Sequence, residues 1–154
     1  MHQPKALTPQ HLSDGQKSCV RTVAGRGWPP DLIVDNPHLT VLEGSLMEGA
    51  ADFVGELVAG NISYAYLPAL TRGREKEIET AFVADEDKTD LSDWINNSTL
   101  EKPADLGYWV GYRITKAYYQ HATDKRQALH DILQMTDAKA FLAKSGWYPG
   151  IQLQ

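Results

Sequence analysis

Two stretches of the chain set chemically able residues at helical spacing. In LMEGAADFVGELVAG, residues 46–60, Glu48 and Asp52 stand one helical turn apart and read E-x-x-x-D. In PADLGYWVGYRITKAYYQHA, residues 103–122, Tyr112 and Arg113 adjoin each other, with Tyr108 and Tyr119 along a neighbouring edge. A carboxylate pair in a helix seam needs a cation, a donor cluster or a metal. A phenol and a guanidinium can bind a carbonyl or a developing oxyanion. The plainer reading of the acids is the solvated side of an amphipathic helix, and tyrosine stripes are usually core.

The elements that would position these groups read as helices. Leu39, Leu42, Leu46, Ala50, Phe53 and Leu57 recur at steps of three or four, with Met47, Val54 and Val58 widening the stripe. That spacing predicts a core-facing helix over 39–59, closed by Gly60 in a left-handed cap. Glu48 falls on another face, beside Gly44, Ala51 and Gly55, where small residues would admit a second backbone. A long helix is expected from Pro68 to Ala84, with Leu70, Ile78, Ala81 and Phe82 inward. Its charged side holds Glu75, Glu77 and Glu79 among Arg72, Arg74 and Lys76, and Gly73 weakens it.

Asp90 is expected to cap a short helical turn, LSDWINN, whose Trp94 plugs the core. Over 103–122 the inward side carries Leu106, Val110 and Ala117, flanked by Trp109 and Ile114. Gly107 and Gly111 leave a strip of small residues, and Asp105 favours the helix N-terminus. Arg113 projects from the apolar side and so requires a carboxylate or an anion. Asp124 and Asp137 cap two closing helices, the second ending at Gly146. Residues 1–38 are rich in Pro and Gly and read as irregular. Ile62 to Tyr66 is too short and isolated to argue for a strand. The expectation is an all-α fold: one compact helical domain over 1–154, with its core over 39–147.

Composition narrows the function. The chain has 154 residues and a net charge of -5, from 15 basic and 20 acidic side chains. That balance argues against a nucleic-acid or anionic-membrane surface. Cys19 is the only cysteine, so no internal disulfide and no cysteine-based zinc site can form, and a free structural thiol is the expected state. No apolar run reaches the length needed to span a bilayer. The first residues lack a secretory h-region, so the chain as written is expected in the cytoplasm.

Three stretches together, 46–60, 74–85 and 103–147, resemble the C-terminal half of a family of bacterial predicted zinc-dependent proteases. That family is related to a lipoprotein of the gliding-motility machinery. The resemblance is carried by E-G-x-A-D-F at Glu48 to Phe53 and D-L-G-Y-x-x-G-Y-R-I at Asp105 to Ile114. It implies a gluzincin-like helical subdomain in which an H-E-x-x-H helix supplies two histidines and a base. A downstream glutamate supplies the third zinc ligand. On this resemblance Glu48 matches the ligand glutamate and Asp52 the aspartate that orients a zinc histidine. Tyr112 and Arg113 would line the cleft against a peptide or protein substrate, around a zinc-activated water.

The chain departs from that pattern in one decisive place, for it has no H-E-x-x-H. His2, His11, His38, His121 and His130 never recur at i,i+4. One expectation is a start placed too late, with Met1-His2 closing an H-E-x-M-H. His2 would then be a zinc ligand with Glu48, and the true compartment periplasmic or envelope. The other is a helical binding or accessory module that has lost the metal. Its cleft around Glu48, Tyr112 and Arg113 would be closed by a Glu48–Arg113 or Asp52–Arg113 ion pair.

Overall fold

The computed structural model describes residues 38–61, 64–98 and 105–154. His2, His11 and Cys19 lie outside the described residues. Among those described the fold is all-α, with six helices: α1 Val41–Ala59, α2 Leu67–Thr71, α3 Glu75–Asp85, α4 Leu106–His121, α5 Lys125–Leu133 and α6 Ala138–Ser145. The central pair is α1 against α4, and the other helices pack around α4.

Helix α1 begins at a capping box. The Thr40 hydroxyl accepts from the Glu43 N–H at 3.2 Å, and the Glu43 carboxylate accepts from the Thr40 N–H at 2.8 Å. Two further N–H groups of its first turn, those of Val41 and Leu42, donate to the Lys88 and Glu86 carbonyls beyond α3. Gly60 closes the helix with φ 75°, its N–H on the Glu56 carbonyl, as its place in the sequence predicts. Val41, Leu42, Leu46, Ala50, Phe53 and Val54 form the buried stripe. The stripe stops short of expectation, since Leu57 and Val58 are exposed.

The small-residue seam is real but sits elsewhere on α1 than the sequence suggests. Ser45 and Gly49 face Gly107 and Gly111 of α4. A Cβ on Gly49 would lie 2.0 Å from the Tyr112 nitrogen, and one on Gly111 would lie 1.8 Å from the Ser45 carbonyl oxygen. The two backbones therefore touch, and only glycine fits there. A Cβ on Gly55 would meet open space. Gly44 packs against Ile95 instead.

The single helix expected over 68–84 is two. Gly73 adopts φ 80° and splits α2 from α3, a conformation that costs glycine nothing and that other residues resist. Residues 86–98 make turns, with the Ser92 N–H on Asp90 Oδ1 and the Ile95 N–H on the Leu91 carbonyl at 2.9 Å. Trp94 does plug the core. It lies edge-on to Phe82 at 5.2 Å and donates through Nε1 to Asp85 at 3.0 Å.

Asp105 is the residue before α4, yet its side chain caps nothing there. Held at φ 60°, it accepts instead from the Asn97 N–H at 3.0 Å and the Ser98 hydroxyl at 2.6 Å, stitching the preceding loop to the helix. The α4 C-terminus is closed by Lys125, whose ammonium donates to the carbonyls of Tyr119, Gln120 and Ala122. Asp124 and Asp137 cap α5 and α6, and Gly146 ends α6 at φ 69°.

Candidate functional site

Helix α1 presents Glu48, Asp52 and Glu56 at successive turns, an acidic ridge one residue type deep. Across from it stand Tyr108 and Tyr112 on α4, with Tyr64 from the segment before α2. The Tyr64 and Tyr108 rings stack with centroids 4.6 Å apart, and the Tyr108 hydroxyl donates to Asn96 Oδ1 at 3.0 Å. The Tyr112 hydroxyl donates to Glu56 Oε2 at 2.5 Å and accepts from the Lys116 ammonium at 3.2 Å. Tyr112 also packs against Phe53, which fixes its ring from the core side.

Electrostatics along the ridge run in one direction. Crowding by protein, then the charges of Asp52 and Asp105, push the Glu48 carboxyl up to about 7. Glu48 nevertheless keeps an exposed surface that water reaches. Asp52 is buried, at 9% exposure. The hydroxyls of Tyr64, Tyr108 and Tyr112 are all pushed up, first by burial. For Tyr64 and Tyr108 the Glu48 charge comes next; for Tyr112 it is the Glu56 hydrogen bond and charge. These phenols stay protonated, and those of Tyr108 and Tyr112 serve as hydrogen-bond donors.

Arg113 does not belong to this ridge. One residue on from Tyr112, it leaves α4 about 100° away. Its Nε donates to Glu79 Oε1 at 2.6 Å, and its Nη2 to the Ile151 carbonyl at 2.6 Å. Its guanidinium lies 4.9 Å above the Trp109 ring. The expected Glu48–Arg113 or Asp52–Arg113 ion pair is thus replaced by Glu79–Arg113. An arginine on an apolar face does find a carboxylate, but the carboxylate comes from α3.

Glu79 is the residue that sequence reasoning misplaced, by leaving it on the charged side of its helix. It is fully buried, and it also accepts from Trp147 Nε1 at 3.1 Å and from the Gly150 N–H at 2.6 Å. The signal was faint: on a helical wheel Glu79 and the exposed Glu77 both stand about 100° from the buried Ile78, and only Phe82, about 60° from Glu79 and about 140° from Glu77, separates them.

The donors that the described residues offer do not make a zinc site. Glu48 and Asp52 are two carboxylates, and among the described residues no group of three His, Cys, Asp or Glu could hold a metal ion. His121 Nδ1 sits 2.9 Å from the Ser145 carbonyl oxygen, and the exposed His130 lies beside Asp131. These donors do not fit the two imidazoles and one carboxylate that the resemblance implies.

Residues 74–149 match a family model described as gliding motility protein GldB. The matched part contains Glu79, Arg113 and Trp147 together with the tyrosine edge of α4, whereas Glu48 and Asp52 fall before it. No curated protein and no solved structure matches the chain.

Proposed function

We propose that this chain is a non-catalytic helical accessory module of a gliding-motility-like assembly at the cell envelope. Its surface for a protein partner would be formed by Glu48 and Glu56 with Tyr64 and Tyr112. The observation that carries this reading is the employment of Arg113. A peptidase of the kind the sequence resembles would turn that guanidinium toward substrate. Here it is committed to Glu79 and to the Ile151 carbonyl, with its side chain only 13% exposed. The likeness of residues 74–149 to a gliding motility protein supports the setting. Among the described residues no helix is long and apolar enough to cross a membrane.

A second reading keeps zinc. Glu48 and Asp52 crowd each other's charge, which a cation between them would relieve, and His2 would have to supply an imidazole. Elemental analysis after zinc incubation and desalting, beside a peptide-hydrolysis assay, separates the two readings. The accessory module retains no stoichiometric zinc and shows no turnover. One zinc per chain, lost in Glu48→Ala, would overturn it.

A further inference from the structure

We draw no further inference here: the strongest candidate, the polar cleft between the N-termini of α1 and α6 lined by Glu43, Asp87, Asp137 and Lys139, carries nothing, because each of these groups is already held by a neighbour in the fold and nothing among the described residues points to a ligand there.

Discussion

Glu79 and Arg113 are 34 residues apart in the chain and meet at 2.6 Å, with the carboxylate wholly shut away from water. Desolvating two charges costs several kcal/mol, so such a pair is not stabilising merely by existing. Removing one partner is different, because the other is left buried and uncompensated. Arg113→Ala is expected to lower the unfolding free energy by about 3–5 kcal/mol. Glu79→Gln should cost less, since its amide oxygen can still accept one of the N–H donors from Trp147 or Gly150. Urea denaturation of both variants checks the order, and a loss below about 1 kcal/mol for Arg113→Ala would refute the account.

Glycines on α1 and α4 should divide sharply in their response to alanine. Gly111→Ala drives a methyl into the Ser45 carbonyl and should cost about 3 kcal/mol or more, since neither backbone can give way. Gly55→Ala places its methyl in open space inside the same helix as Gly49 and should gain about 0.5–1 kcal/mol from helix propensity. Thermal unfolding of the two variants beside wild type reads both signs at once.

The Glu48 carboxyl, raised from 4.5 to about 7, gives the fold a pH dependence of defined sign. A carboxyl that holds its proton more tightly when folded favours folding at low pH. That contribution is complete below about 4.5 and disappears as pH rises through about 7. Glu48→Gln should therefore gain stability relative to wild type at pH 8 and lose that advantage at pH 4.5. Equal differences at the two pH values would show that Glu48 titrates normally. Asp52→Asn should move the Glu48 titration downward in a carboxyl-resolved NMR series, because the Asp52 charge is one cause of the shift.

Asp124 accepts from both the Arg126 and Gln127 N–H groups at the start of α5. Asp124→Ala should cost about 1 kcal/mol, and Asp124→Asn much less, since an amide oxygen still accepts. Chemical denaturation distinguishes this from a mere charge effect, to which Asn and Ala would respond alike.

The caps at Gly60, Asp124, Asp137 and Gly146 were legible in the sequence because each is decided within a turn of its own position. The buried stripe of α1 was legible from its period as far as Val54. Gly73 ends a helix that the periodicity around it would continue, because its left-handed backbone at φ 80° cannot carry the helix through. The partner of Arg113 was not legible, because pairing across 34 residues depends on how α3 lies on α4, which no local pattern records. Glu48, Asp52 and Tyr112 do share one side of the α1–α4 pair. Arg113 does not, for adjacent helical residues point about 100° apart.

The contact of Ser45 and Gly49 with Gly107 and Gly111 has a mechanical consequence. Most helix pairs meet through side chains, which can change rotamer and let one rod creep along the other. Here main chain bears on main chain, and nothing at that point has a torsion to spare. A pull on α1 is passed to α4 without slack, and the offset between Glu56 and Tyr112 is fixed much as two gear teeth are fixed by a common axle.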